Sequence, residues 1–194
     1  GDTNSSLGAI MAKRFGVKVF HMEAGNRCYD DRVPEENNRR IVDGQSDILL
    51  PYSERSRANL IREGVALERI YVTGNPIKEV LDLFLPQIEK NEIMKKFKVK
   101  KKKYFLLTLH RAENVDSKIR LAKFVEAFNM VSDKYRMPVI WSVHPHTKRE
   151  LSKNPHLKVK QDIKVSDPLG FFEFNNLQKN AFCVLSDSGT APEE

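Results

Sequence analysis

Five ionisable side chains stand where short apolar runs of the sequence end or where helices are predicted to begin. Asp2, Glu23 and Glu35 lie in the first half of the chain, and His110 and His144 lie in the second. Carboxylates gathered in one site push their pKa values apart, so that one site can hold both an acid and a base. The sequence therefore indicates acid–base chemistry.

Each carboxylate also has a structural interpretation. Glu35 and Glu36 lie in the first turn of a predicted helix, where acids complement the helix dipole. Asp2 follows a glycine, a position typical of turn and cap residues. For Glu23, a salt bridge to Arg27 is as good an explanation as catalysis.

Helical and strand patterns alternate along the chain and position these side chains. Helices are predicted at 4–15, 34–46, 53–63, from 77, at 117–135 and at 169–179, and strands at 17–21, 47–51, 69–73, 104–109, 138–143 and 181–185. The runs 17–21 and 181–185 are predicted to be buried. Thr3 or Asn4 is expected to cap the first helix and Ser53 the third. The alternation predicts an α/β class with doubly wound parallel sheets, which bind ligands at the carboxyl ends of their strands.

A lysine-rich stretch divides the chain in two. We predict a first domain at 1–85, a linker at 86–103 and a second domain at 104–194. Residues 93–103 hold seven lysines and no acid, which accounts for the net charge of +7. Such a run is typical of a solvated turn or helix end. No nucleic-acid-binding module accompanies it, so we expect no nucleic-acid partner.

The composition describes an ordinary soluble protein, with 194 residues, 40% of them hydrophobic and 30% charged. No stretch approaches the roughly 20 apolar residues of a membrane span, so we expect no membrane insertion. The two cysteines lie far apart, which favours a cytoplasmic setting. Residues 1–3 resemble the turn after a strand, and a helix is predicted to begin near Pro192. We therefore expect the chain to be cut at both ends.

A second pattern suits an anion. Ser186-Asp187-Ser188-Gly189 follows an apolar run and precedes a predicted helix, where N–H groups and the helix dipole favour a phosphate. Ordinary strand-to-helix turns use the same residues, and the Gly-Lys-Ser/Thr ending of a P-loop is absent. Arg39 and Arg40 could hold a phosphate or cover an exposed helix face. His144 and His146 lack a third ligand at a suitable distance, so we expect no metal.

A series of motifs runs in order through nearly the whole chain: Gly1-Asp2-Thr3, His21-Met22-Glu23-Ala24-Gly25 with Arg27, Pro34-Glu35-Glu36 with Asn38-Arg39, Thr73-Gly74-Asn75, His110-Arg111, and Ser186-Asp187-Ser188-Gly189 with Glu193-Glu194. Each motif is weak, but the set is specific. It resembles the UDP-N-acetylglucosamine 2-epimerase family.

The resemblance implies two doubly wound, Rossmann-like domains facing a cleft, as in the GT-B glycosyltransferases, both incomplete in this chain. It implies inversion at C2 of a UDP-2-acetamido sugar, from UDP-N-acetylglucosamine to UDP-N-acetylmannosamine. By the same resemblance the reaction is expected to proceed by elimination and re-addition of UDP and to need no cofactor. The expected partners are the UDP-sugar substrate and a second copy of the chain in a homodimer.

The resemblance also implies roles for individual residues. Asp2, Glu23 and Glu35 match carboxylates that move the C2 proton, and His110 matches a histidine that assists at the diphosphate. Ser188 and Gly189 would cradle a phosphate, and Glu194 would hold the ribose hydroxyls. The full set of expected substrate-binding residues is Arg27, Arg39, Arg111, His144, Ser188, Gly189 and Glu194.

One departure from the family pattern bears on the substrate. Many members read His-Arg-Arg-Glu where this chain reads His110-Arg111-Ala112-Glu113. The segments 26–30, 32–36 and 167–171 look closer to a branch that acts in the synthesis of UDP-N-acetyl-L-fucosamine, on a 6-deoxy UDP-talosamine-type sugar. Two further hypotheses stay open: a GT-B glycosyltransferase, and a nucleotide-sugar-binding fragment without turnover.

Overall fold

The computed structural model describes residues 2–189 and 191. The chain forms two compact units, Gly1–Pro76 and Ile77–Glu194. The predicted bounds of 1–85, 86–103 and 104–194 for the domains of the protein stay a prediction. In this structure residues 77–90 form a helix of the second unit, and the amide of Asn176 from that unit donates to the carbonyl of Ile88 at 2.7 Å.

The first unit is a parallel strand pair covered by helices. In chain order it contains α1 (Thr3–Arg14), β1 (Phe20–Met22), α2 (Pro34–Gln45), β2 (Ile48–Leu50), α3 (Glu54–Arg62) and a 3-10 turn (Leu67–Arg69). β1 pairs with β2 from Phe20–Ile48 to Met22–Leu50. Its small core is formed by Ala24, Leu49, Leu60 and Ile70.

The local sequence explains where these helices begin. Asp2 caps α1, in place of the predicted Thr3 or Asn4, because its carboxylate accepts the amide of Ser5 at 2.9 Å. α2 begins at Pro34, which needs no N–H in a first turn. The predicted cap of α3 is confirmed, since the Ser53 hydroxyl accepts the amide of Ser56 at 3.2 Å.

Two strand predictions in this unit are wrong. β1 is not buried: Phe20 is 62% exposed, because β2 is the only strand that pairs with β1 among the described residues. The predicted strand 69–73 begins as the 3-10 turn and then runs beside β2. Backbone bonds join them from Tyr71 to Leu49 at 2.9 Å and from Thr73 to Pro51 at 3.1 Å, and Ile70 forms an isolated bridge with Leu49.

The second unit is a four-stranded parallel sheet with helices on both faces. It contains α4 (Ile77–Lys90), α5 (Ile93–Lys96), β3 (Phe105–Thr108), α6 (Ala112–Val115), α7 (Lys118–Tyr135), β4 (Val139–Ser142), α8 (Pro145–Ser152), β5 (Ile163–Ser166), α9 (Phe171–Asn180) and β6 (Cys183–Ser186). The strand order is β5-β4-β3-β6. α5, α6, α8 and β5 were not predicted.

Alternation along β3 builds two cores in this unit. Phe105 and Leu107 pack on one face of the sheet with Val125 of α7, and Leu106 packs on the other face with Leu177 of α9. The doubly wound arrangement is therefore present here. β6 is less buried than predicted, since it lies at the edge of the sheet. The lysine-rich stretch forms a short helix and turns with exposed lysines, as predicted.

No helix in the part of the chain that the structure describes combines the length and apolarity needed to cross a lipid bilayer.

Candidate active site

Glu23 follows β1 in a strained backbone conformation. Its φ is 65°, in the left-handed region. That conformation is less favourable than the right-handed one by about 1–2 kcal/mol for a residue other than glycine. The amide of Glu23 donates to the carbonyl of Leu50 at 3.1 Å, and its carboxylate accepts from the side-chain amide of Asn26 at 3.0 Å. Strain of this kind clusters at functional sites.

Arg27 does not pair with Glu23, so the salt-bridge interpretation of these two residues is wrong. The Arg27 guanidinium donates to Asp43 at 2.7 Å and to Glu63 at 2.5 Å, and its side chain is fully buried. Burial would lower the pKa of Arg27, but the hydrogen bonds to Glu63 and Asp43 raise it above its ordinary value. Arg27 therefore stays charged and fixes the loop after β1, while its substrate contact stays a prediction.

Asp43 in α2 lies at the centre of the contacts around this loop. It accepts hydrogen bonds from the amide of Gly25 at 3.2 Å and from Arg27, and its second oxygen lies 2.7 Å from Nδ1 of His21. The sequence interpretation missed Asp43. A signal existed, because Asp43 lies seven residues after Glu36 and therefore on the same helix face.

The two predicted first-turn acids of α2 differ in environment. Glu35 is exposed, so its carboxylate can meet a ligand. Glu36 is fully buried and accepts the amides of Cys28 at 2.9 Å and Tyr29 at 3.1 Å, and Arg39 at 3.1 Å. Burial raises the pKa of Glu36, but these donors outweigh it and hold the pKa at about 2. The structural interpretation thus fits Glu36, and the catalytic prediction for Glu35 stays open.

Asp2 and Arg39 line one small pocket. Its volume is about 210 Å³, and its lining also includes His21, Phe20 and Val42. Hydrogen bonds from the amide and hydroxyl of Ser5 lower the pKa of Asp2, so this exposed carboxylate is ionised near neutral pH. Within residues 2–189 and 191, the buried Nε of Arg39 has no hydrogen-bond partner. A cation and a carboxylate beside one pocket are suited to a polar, partly anionic ligand.

In the second unit Asp187 organises the turn that carries His110. Its carboxylate accepts the amides of His110 at 3.1 Å and Arg111 at 2.9 Å, and the side-chain amide of Asn114 at 3.1 Å. It also lies 3.2 Å from Nδ1 of His110. Both backbone amides are thereby occupied. The side chains of His110 and Arg111 are 42% and 39% exposed, so both can meet a ligand, although Arg111 also lies 3.6 Å from Glu113.

The predicted phosphate turn lies beside the same residues. β6 is hydrogen-bonded to β3, so that Ser186 lies opposite Thr108 and the two strands end together. The amide of Ser188 donates to the hydroxyl of Ser186 at 2.9 Å, and a Cβ placed on Gly189 would lie 3.6 Å from the Arg111 guanidinium. Glu194 and the predicted helix around it lie outside the described residues. The roles of Ser188, Gly189 and Glu194 stay predictions.

His144 follows β4, the next strand of the sheet. It caps α8, since its Nδ1 accepts the amide of His146 at 3.2 Å, and its side chain is exposed. His146 is instead held by Asp116 at 2.5 Å and Arg149 at 2.7 Å. In the described part of the chain, no group of three or more His, Cys, Asp or Glu side chains could hold a metal ion.

Replacing Asp187 should loosen the His110 turn. Asp187→Ala leaves amides without a partner in a side-chain site that is only 9% exposed, so we expect the free energy of unfolding to fall by about 1–3 kcal/mol. Asp133→Ala serves as a control, because Asp133 is exposed and bound only to Lys160 in the described contacts. Its effect should stay within about 0.5 kcal/mol. Equal losses in urea unfolding would contradict the role of Asp187.

The sequence of this chain is similar to those of known proteins. A family model described as UDP-N-acetylglucosamine 2-epimerase matches residues 1–194. The UDP-N-acetylglucosamine 2-epimerase of Methanococcus maripaludis is 41% identical over 206 residues, which cover 100% of this chain and 55% of that protein. The UDP-2,3-diacetamido-2,3-dideoxy-D-glucuronate 2-epimerase of Pseudomonas aeruginosa is 36% identical over 197 residues, with 100% and 53% covered.

A solved structure gives the same result for the fold. The crystal structure of Methanocaldococcus jannaschii UDP-GlcNAc 2-epimerase in complex with UDP-GlcNAc and UDP superposes with a TM-score of 0.89 at 42% identity, covering 100% of this chain and 55% of that chain. The chain spans about half the length of the curated relatives it matches. The predicted GT-B-like α/β class is confirmed. The chain belongs to the UDP-N-acetylglucosamine 2-epimerase family.

Proposed function

We propose that the protein inverts C2 of a UDP-2-acetamido sugar without a redox cofactor, converting UDP-N-acetylglucosamine to UDP-N-acetylmannosamine. Family membership supports the reaction class, and the names of two relatives at 36% and 41% identity both specify 2-epimerases. The observation that carries the proposal is the left-handed Glu23 at the carboxyl end of β1, the kind of strain expected at a working residue.

The chemistry explains why several carboxylates are needed. The C2 hydrogen is not beside a carbonyl and is barely acidic. Its removal becomes feasible when UDP leaves C1 in the same elimination, which gives a 2-acetamidoglucal. Returning a proton to the opposite face of C2 and UDP to C1 completes the inversion. Groups able to exchange a proton are needed near both faces. We propose Asp2, Glu23 and Glu35 for this set.

The second unit has the groups suited to a departing diphosphate. The charge that develops on the leaving oxygen is stabilised by fixed cations and donors. Arg111 is always charged, and the His110 ring, whose Nδ1 lies 3.2 Å from Asp187, leaves Nε2 to meet the diphosphate. We propose that these two side chains, with Ser188 and Gly189, support UDP. Arg39, which lines the small pocket beside Asp2, is also proposed as a substrate-binding residue.

The exact sugar distinguishes two versions of the proposal. The sequence segments near 26–36 and 167–171 favour a 6-deoxy UDP-talosamine-type sugar as the second candidate, with the same chemistry at C2. A homodimer in the cytoplasm stays the predicted assembly and location.

The test is a proton NMR assay with the protein as its gene encodes it. Incubation with UDP-N-acetylglucosamine alone should produce the anomeric signal of UDP-N-acetylmannosamine until the two sugars reach equilibrium. Conversion of only the 6-deoxy sugar would select the second candidate. UDP binding without conversion of either sugar would contradict the proposal and favour a binding protein. Transfer of the sugar to an added acceptor with C2 unchanged would instead indicate a glycosyltransferase.

A further inference from the structure

Asp43 is a buried carboxylate that belongs to none of the predicted catalytic or substrate-binding residues. It lies in the last turn of α2 and is only 2% exposed. A negative charge is unfavourable at that end of a helix, and burial makes it more so. Such a residue needs strong compensation, which the structure provides through the loop that follows β1.

The contacts of Asp43 flank Glu23 on both sides. His21 precedes Glu23 by two residues, Gly25 follows it by two, and Arg27 follows it by four. All three bond to Asp43, at 2.7, 3.2 and 2.7 Å respectively. The strained backbone of Glu23 is therefore held between fixed points.

Gly25 shows how tightly the loop is fitted. Its φ is 76°, and a Cβ added there would lie 2.3 Å from the carbonyl oxygen of Ser56 in α3. The loop therefore packs against α3 on one side and bonds to Asp43 of α2 on the other. Strained conformations persist where the surroundings determine them in this way.

We propose that Asp43 is a positioning residue for the C2 epimerisation. It fixes the loop so that the Glu23 carboxylate keeps one position, and it holds the His21 ring in one tautomer. That ring lines the pocket shared with Asp2 and Arg39. The inference rests on the proposed function, and misplacement of a reacting group by 1 Å can lower a rate about 100-fold.

The variant Asp43→Asn tests whether Asp43 positions the loop and His21 without preventing the protein from folding. The amide keeps the shape of the side chain, and its oxygen can still accept from Gly25 and Arg27. Its NH₂ group then faces Nδ1 of His21, which must accept and so carry its proton on Nε2. The variant is therefore expected to fold with the His21 tautomer reversed.

Asp47→Asn is the control. Asp47 is a largely buried carboxylate of the same unit that accepts the amide of Val19 at 3.0 Å and binds Lys13 at 2.6 Å. It lies just before β2, at the end of the strands away from Glu23. Its loss should lower stability and leave the kcat of folded protein near the wild-type value.

The experiment compares both variants with the wild-type protein as its gene encodes it, measuring kcat and KM for UDP-N-acetylglucosamine and the ¹⁵N shifts of His21. Asp43→Asn is expected to lower kcat about 100-fold with KM little changed, and to exchange the His21 tautomer. Wild-type kcat in Asp43→Asn, or equal losses in the two variants, would overturn the positioning role alone. Absence of turnover in the wild-type protein would instead reject the proposed function and this inference with it.

Discussion

Glu23→Gln is expected to lower the kcat for C2 epimerisation by about 10²–10⁴-fold, the usual contribution of a positioned acid or base. The amide keeps the size of the side chain and its hydrogen bond with Asn26, but cannot exchange a proton. The free energy of unfolding should stay near the wild-type value. Steady-state kinetics and urea unfolding of the same preparation check both expectations.

Glycine and alanine variants test whether strain at Glu23 is present. Both remove the carboxylate, but only glycine relaxes at a φ of 65°. Glu23→Gly should therefore be more stable than Glu23→Ala by about 1 kcal/mol, with both inactive. Arg136, whose φ is 49° at the end of α7, offers the same comparison away from the candidate site. Arg136→Gly should exceed Arg136→Ala in stability without loss of activity.

Retained activity in Glu23→Gln would contradict the proton-transfer role of Glu23.

Glu36→Ala should have the largest effect on stability. It leaves the amides of Cys28 and Tyr29 and two arginines without their buried acceptor, and breaking a buried pair lowers stability by about 3–5 kcal/mol. Glu54→Ala is the control, because Glu54 is exposed in the first turn of α3 and should change stability by about 0.5 kcal/mol or less. Chemical unfolding of both variants measures the difference.

The same carboxylate predicts a pH dependence. The pKa of Glu36 is about 2 in the fold, below its ordinary value of 4.5. Its ionised form therefore stabilises the fold fully above about pH 4.5, and this contribution, about 3 kcal/mol, is lost as pH falls from 4.5 towards 2. The stability of Glu36→Gln should fall less steeply in that range. Parallel pH profiles for the variant and the wild-type protein would contradict the assignment.

The two units share one device. In each unit a largely buried aspartate contacts a histidine: Asp43 contacts His21 within β1, and Asp187 contacts His110, which follows β3. In each case the same carboxylate also accepts backbone amides of the adjoining loop. A carboxylate on Nδ1 fixes the tautomer and orientation of an imidazole. The hydrogen bond to Asp43 therefore fixes His21, whereas His110 lies 3.2 Å from Asp187 in an ion-pair contact.

The sequence predicted local features well because local chemistry determines them. Ser53 caps its helix as predicted, the helix predicted from about Ser117 begins at Lys118, and the apolar run 104–109 contains β3. The exposure of β1 and β6 could not be predicted, because it depends on how many strands lie beside each of them in the sheet. Asp43 and Asp187 were missed as site residues for a related reason. Their partners lie 16–22 and 73–77 residues away, so that only the folded chain brings them together.

Deuterium incorporation at C2 tests whether the protein removes and returns the C2 proton through Glu23. The protein as its gene encodes it is incubated with UDP-N-acetylglucosamine in deuterated water, and the recovered sugars are examined by proton NMR and mass spectrometry. We expect one deuterium at C2 in the UDP-N-acetylmannosamine formed, with loss of that exchange in Glu23→Gln. Epimerisation that retains the original C2 hydrogen, or exchange that survives in Glu23→Gln, would contradict this expectation.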